Sequence, residues 1–355
     1  MKHARRRHRG VKYFLTAVTT SIVLVLVPAS VSRLTTPHDR ENRITTSTTS
    51  TLVTTVPPPS ETLARALTAV LATRTDDVQL VVIDRRSGRK LSLGGNSTEM
   101  PASMFKVFIA EEVLSLAQPL SLSATLPYVV TPNTLPPAPT STSTTTSTTT
   151  STTTSTTTST TASTTSTTLA PVLQLTVREL LTRMIEVSDN DAATSLWLAG
   201  GDVGGAEAFA QRLGLVATGP SYCRTCPHYP FPGWGIFPTN AADQMLVLEN
   251  LTEPSRVVSS ENQKFILSLM RHVSPWQNWG VGTVPGHATA IAVKNGWYPE
   301  VGTQWQINSM GWVQGEGRDY VAVIMTRENP TRQYGISAVN ALSSVLWNML
   351  GPKDS

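Results

Sequence analysis

Residues 140–168 read TSTSTTTSTTTSTTTSTTTSTTASTTSTT, a near-perfect Ser-Thr-Thr-Thr repeat inside a proline-flanked stretch that runs from 131 to 171. More than any other feature, it limits what this chain can fold into. A tetrapeptide with almost no apolar side chain cannot offset the entropy of ordering itself. The repeat therefore stands outside any core, either as an O-glycosylated spacer or as an unmodified disordered loop. A second Thr/Ser/Pro stretch, residues 33–60, reads as a linker. With the N-terminal segment also set aside, roughly 255 residues remain, enough for one α/β domain. That domain is expected over 61–351, interrupted by the insert at 131–171.

The first twelve residues carry six positive charges and no acid, and Phe14 to Val27 is an apolar run followed by small residues. This is the layout of a secretory signal peptide over residues 1–32, or of an uncleaved membrane anchor, since no charge falls between Lys12 and Arg33. In either case the basic end stays inside and the remainder is exported. Removing those six charges turns the net +4 of the whole chain into −2. So nearly neutral a chain has no electrostatic footprint for nucleic acid. The two cysteines, Cys223 and Cys226, form a C-x-x-C pair. In an exported chain a local disulfide clipping a loop is the better reading. A zinc or redox site is the alternative, but four ligands are needed and His228 is the only other obvious candidate. No metal and no cofactor are expected.

Periodicity orders the remainder. ETLARALTAVLAT (61–73) has helical spacing, with Leu63, Leu67, Val70 and Leu71 on one face. VQLVVID (78–84) and RKLSL (89–93), joined by a turn, read as a hairpin. A series of helical segments follows, from SMFKVFIAEEVLSLA through SSENQKFILSLMRHV. Three β-rich runs (TAIAVKNG, TQWQINSMGWV and DYVAVIMT) and a last helix close the chain. Two early strands and three late ones suggest an α/β (α+β) fold: one antiparallel five-stranded sheet, flanking terminal helices and an inserted all-helical lobe.

Ser103 stands three residues before Lys106 at the head of an apolar run, a spacing that sets both side chains on one helical face. The pattern alone is weak, because Ser87 and Lys90 repeat it at a turn, where residues three apart need not face each other. Two further motifs follow in order: Ser188-Asp189-Asn190 between two helices, and Lys294-Asn295-Gly296 at the end of a strand. Three motifs, each in a fitting context, specify far more than one. In this set the chain resembles the class A β-lactamases and penicillin-binding proteins, whose signatures are S-x-x-K, S-D-N and K-T-G.

The resemblance implies an exported serine hydrolase acylated at Ser103 by β-lactams or D-Ala-D-Ala-like peptides, acting as a monomer on a small substrate. A serine hydroxyl is a weak nucleophile until a base takes its proton. Lys106 can be that base if burial and a neighbouring cation, Lys294, lower its pKa. Ser188 would relay a proton to the leaving nitrogen, and Asn190 would bind Lys106 and the substrate amide. Asp189 would hold the loop by bonding backbone amides. Lys294 and Asn295 would face the substrate carboxylate, and Gly296 permits close backbone approach. The oxyanion hole implied is the backbone N–H of Ser103 and of Trp297.

Two departures stand out. Asn295 replaces the usual Thr or Ser. More consequentially, class A β-lactamases carry a glutamate in an Ω-shaped loop to release the acyl group, whereas residues 215–238 here contain no Asp or Glu. Glu207, His228 and Asp243 are the nearest titratable groups. An acylating enzyme with poor turnover is therefore expected, the alternative being a cell-envelope penicillin-fold binding protein with little or none.

Overall fold

The computed structural model describes residues 59–74, 76–116, 119–130, 173–219, 233–284, 290–299 and 304–352. The N-terminal segment, the linker up to residue 58, the Thr-rich tract and the Cys223, Cys226 and His228 loop lie outside them.

Helix α1 (Pro59–Leu71) starts two residues before the expected Glu61, inside what reads as linker. Strands β1 (Asp77–Asp84) and β2 (Arg89–Leu93) form the hairpin, and β5 (Ala290–Pro299), β6 (Trp305–Gly315) and β7 (Arg318–Asn329) are the late strands. They make one sheet in the order β2-β1-β7-β6-β5, antiparallel throughout. Thus β1 lies between its hairpin partner and β7, and an early and a late strand meet in the middle of the sheet.

The central strands are apolar on both faces, so both faces must be covered. Val78, Leu80 and Val82 of β1, with Tyr320, Ala322 and Ile324 of β7, pack against Leu63 and Leu67 of α1. The same layer holds Val339, Leu342, Leu346 and Trp347 of α8 (Arg332–Met349). The alternate residues Val81, Val321, Val323 and Met325 face the helical lobe. That lobe holds α2 (Lys106–Leu114), α3 (Val177–Glu186), α4 (Asn190–Gly200), α5 (Asp202–Leu213), α6 (Ala241–Thr252) and α7 (Ser260–Arg271). Every residue of α2 is buried, so this helix is the axis of the lobe rather than one of its walls.

The Thr-rich tract does not interrupt two helices directly. Short strands β3 (Thr125–Pro127) and β4 (Gln174–Thr176) pair antiparallel on either side of it, extended by Tyr128 N–H donating to the Leu173 carbonyl at 2.8 Å. Three-residue strands with exposed faces carry no periodic signal, which is why sequence reading passes over them. The second S-x-x-K pattern is indeed a turn: Ser87 Oγ donates to Asp84 Oδ2 at 2.7 Å, and Lys90 is exposed on β2.

Helix α2 also buries two adjacent carboxyls, Glu111 and Glu112. Neither oxygen of Glu112 has a hydrogen-bond partner among the described residues. Burial pushes its pKa up to about 8, against an opposing pull from Arg212. Between the ordinary 4.5 and about 8, the folded chain keeps a proton that the unfolded chain has released. Stability therefore falls as pH rises through that window. Glu112→Gln removes this dependence, and the variant should gain on the parent by up to ~1.4 kcal/mol per pH unit. Urea unfolding of both proteins at about pH 5 and pH 8 measures it. A difference that stays constant with pH would mean that Glu112 ionises normally in the fold.

Candidate active site

Ser103 does not begin the α-helix, as sequence periodicity suggests, but sits in a 3₁₀ turn, Ala102–Phe105, that feeds α2. Ala102 holds φ at +50°, a left-handed conformation that costs an alanine about 1–3 kcal/mol and needs support. Support comes from packing. Met104 and Phe105 are buried, and Phe105 stacks on Phe108 at 4.4 Å and meets the tilted Phe237 ring at 5.4 Å. From the other side β5 presses on the turn through Gly296. A Cβ there would lie 2.5 Å from the Met104 nitrogen and 2.8 Å from the Ser103 nitrogen. Only glycine permits this approach. Lys294 and Gly296 thus lie within β5, which continues to Pro299, rather than at its end.

Ser188 is the second strained residue, with φ at +59° in the turn between α3 and α4. Asp189 fixes that turn as the N-cap of α4, its Oδ1 accepting from the Asp191 and Ala192 amides at 2.9 and 3.1 Å. Its Oδ2 accepts from the Tyr128 hydroxyl at 2.9 Å. That is the structural role expected of Asp189.

Two fully buried lysines converge on Ser188. Lys106 Nζ meets the Ser188 carbonyl at 2.6 Å, Asn190 Oδ1 at 2.8 Å and Ser188 Oγ at 3.0 Å. Lys294 Nζ meets Gln277 Oε1 at 2.9 Å, the Asn295 carbonyl at 3.0 Å and Ser188 Oγ at 3.1 Å. Carbonyl oxygens only accept, so two N–H bonds of each lysine are committed whatever its charge. The third direction of each points at one hydroxyl, which has a single hydrogen. The arrangement is satisfied when one lysine is an ammonium donating to Ser188 Oγ and the other an amine accepting from it. Electrostatics agree. Burial, then repulsion from Lys294, holds Lys106 well below the ordinary lysine range, while Asp189 pulls it back up. Burial pushes Lys294 down to about 7.

Among the described residues, no hydrogen bond joins Lys106 Nζ to Ser103 Oγ. The S-x-x-K spacing brings the pair to one end of α2, yet the amine is turned to Ser188 and Asn190.

The expectation that Asn295 faces a substrate carboxylate is corrected. Side chains alternate along a strand, and the Asn295 side chain lies on the opposite face from that of Lys294. Its Nδ2 donates to the Gln277 and Trp279 carbonyls at 2.6 and 3.1 Å. It frames the site from behind. The Trp297 ring is likewise turned from Ser103, meeting Trp276 at 5.5 Å, Trp279 at 6.2 Å and the Arg332 guanidinium at 4.4 Å. Only its backbone N–H remains a candidate for the oxyanion hole.

Two neighbours of the lysines carry no motif. Gln277, buried in the 3₁₀ turn Pro275–Gln277, accepts from Lys294. Trp234 sets its indole 4.9 Å from Lys106 Nζ and donates from Nε1 to Thr194 Oγ1 at 3.2 Å. Trp234 belongs to the acid-free stretch 215–238, so an aromatic ring flanks Lys106 where a carboxylate could have been sought. Asp243 is not a spare base: it accepts from Ala217 N–H at 2.8 Å and Thr218 Oγ1 at 2.7 Å. Glu207 lies on α5, half-buried. Among the described residues, no group of His, Cys, Asp or Glu could hold a metal ion.

A five-stranded antiparallel sheet, a helical lobe, a serine turn and two buried lysines converging on a second serine together define a serine hydrolase of the β-lactamase type. The family comparison agrees: the model of the beta-lactamase enzyme family matches residues 62–350, and the chain belongs to that family. No curated protein matches it significantly. Among solved structures it is similar to a mutant of PBP-A, determined as an acyl-enzyme complex with penicillin G (19% identity, TM-score 0.59, 82% of this chain and 98% of that one). A beta-lactamase from Chitinophaga pinensis is also similar (17%, 0.62, 81% and 98%). So is the TLA-1 extended-spectrum beta-lactamase (14%, 0.64, 83% and 100%). At these identities the structural likeness speaks for the fold.

Proposed function

We propose that this chain is an exported serine hydrolase acylated at Ser103 by β-lactams or D-Ala-D-Ala-like peptides, and that the acyl group leaves slowly. The observation that carries the proposal is the position of Ser188 Oγ, 3.0 and 3.1 Å from two buried amines, one of which, Lys106, directly follows the Ser103 turn in the chain. In this reading Ser103 Oγ attacks the substrate carbonyl carbon and its proton passes to the neutral Lys106 amine. The C–N bond then breaks, and the leaving nitrogen takes a proton from Ser188 Oγ, which Lys294 or Lys106 restores. Asn190, its Oδ1 held by Lys106, offers its Nδ2 to the substrate amide. Lys294 in its ammonium form attracts the substrate carboxylate.

The acid-free stretch 215–238 and the indole beside Lys106 favour a protein that holds its acyl group, close to a cell-envelope penicillin-binding protein. Export rests on the basic, then apolar, N-terminus, which is also the route to membrane attachment if it is not cleaved.

A fluorescent penicillin is expected to label the protein covalently, with the label recovered after digestion on the peptide containing Ser103. Label on Ser87, or none at all, would remove the proposal.

A further inference from the structure

Gln277 belongs to none of the three motifs, yet all of its side-chain polar atoms and its carbonyl are spent on the site. Its Nε2 donates to the Glu186 carbonyl at 2.9 Å, at the end of α3 and two residues before Ser188. Its Oε1 accepts from Lys294 Nζ at 2.9 Å, and its backbone carbonyl accepts from Asn295 Nδ2 at 2.6 Å.

The amide can face only one way. Glu186 O already accepts from the Ser274 amide at 2.8 Å and can only accept again. A flipped amide would set two oxygens against each other there and two donors against each other at Lys294. Asn295 is pinned by the same logic, because both of its contacts are carbonyls. The departure from Thr or Ser at 295 has a consequence here. A hydroxyl, with one hydrogen, could not hold both Gln277 and Trp279.

We infer that Gln277 is a positioning residue of this site, which presents a fixed acceptor to Lys294, holds its nitrogen on Ser188 Oγ and favours its charged form. The inference rests on the proposed function and adds the group that decides where the site's positive charge resides. A buried amine with three acceptors and no carboxylate partner depends on each acceptor to remain charged. The charged groups facing Lys294 are few. Lys106 approaches from α2, while the turn Pro275–Gln277 brings no charge and the opposing β6 residue is Met310. Arg332 lies over the Trp297 ring, on the other face of β5.

The test compares Gln277→Met, of similar length without the acceptor, with Gln277→Glu, which sets an anion against Lys294. The Lys294 side chain is titrated by NMR in the unacylated proteins. The pH dependence of kcat/KM for acylation by a penicillin is measured alongside.

In the parent, the charge of Lys294 is lost around pH 7, and acylation declines on the alkaline side with it. Gln277→Met is expected to lower the Lys294 midpoint by about one unit, and with it acylation near pH 7 by about fivefold. Gln277→Glu is expected to raise the midpoint by about one unit or more and carry the alkaline limb with it. If the midpoint stays put in a folded variant of either kind, the inference is wrong, even if stability has changed. If Gln277→Met does not fold, the rise in Gln277→Glu decides. If the parent is never acylated, the functional proposal falls instead, and the Lys294 titration still judges Gln277 separately.

Discussion

A brief exposure to penicillin is expected to leave one acyl group on each chain, persisting for many minutes in intact-protein mass spectra. The parts proposed for acylation are Ser103 in a strained turn, two buried amines and Ser188 between them. Deacylation needs a water held and deprotonated on the far side of the ester. Residues 215–238 supply no carboxylate for it. Asp243 is consumed by the Ala217 and Thr218 contacts, and an indole stands beside Lys106. A positioned general base is typically worth 10²–10⁴ in rate, or about 3–5 kcal/mol of barrier. Losing that much at one step and not at the other makes the ester accumulate. Rapid multiple turnover with no adduct would overturn this reading and redirect the search for a base to His228 or Glu207.

Ser103→Ala is expected to abolish the adduct altogether, and Lys106→Ala to slow its formation by about 10² or more. Stopped-flow acylation measures the second. The lysine effect should not come from unfolding. Burying the Lys106 amine already costs free energy, as the downward displacement of its pKa shows. Its replacement should therefore leave a protein whose thermal unfolding is cooperative. An adduct on Ser103→Ala would mean that the nucleophile lies elsewhere. An unchanged rate in Lys106→Ala would move the base to another group, with Lys294 the nearest.

The pH behaviour of the site follows from two amines sharing one hydroxyl. With one lysine charged and the other neutral, every hydrogen bond around Ser188 Oγ is satisfied. With both charged, the buried cations repel. With both neutral, the substrate carboxylate has lost its attraction. Activity should therefore be confined to the range in which the pair holds one extra proton, and the two apparent pKa values belong to the pair.

The sequence by itself determined the order of elements, because apolar periodicity is local and reports burial one turn or one pleat at a time. VQLVVID and DYVAVIMT read as strands, and α2 and α3 as helices. It also named Ser103, Lys106, Ser188 and Lys294, since each lies in a short motif with a fitting context. Tertiary structure decided what those residues touch. Lys106 meets Ser188 across 82 positions and Lys294 meets it across 106, and such pairings leave no mark on local periodicity. The pleat of β5 turned Asn295 away from Lys294, toward a turn 18 residues upstream. That turn supplies Gln277, whose only sequence context is the tryptophans at 276 and 279. A buried amide is functional or inert according to which carbonyl it must face, and only the packed chain assigns that partner.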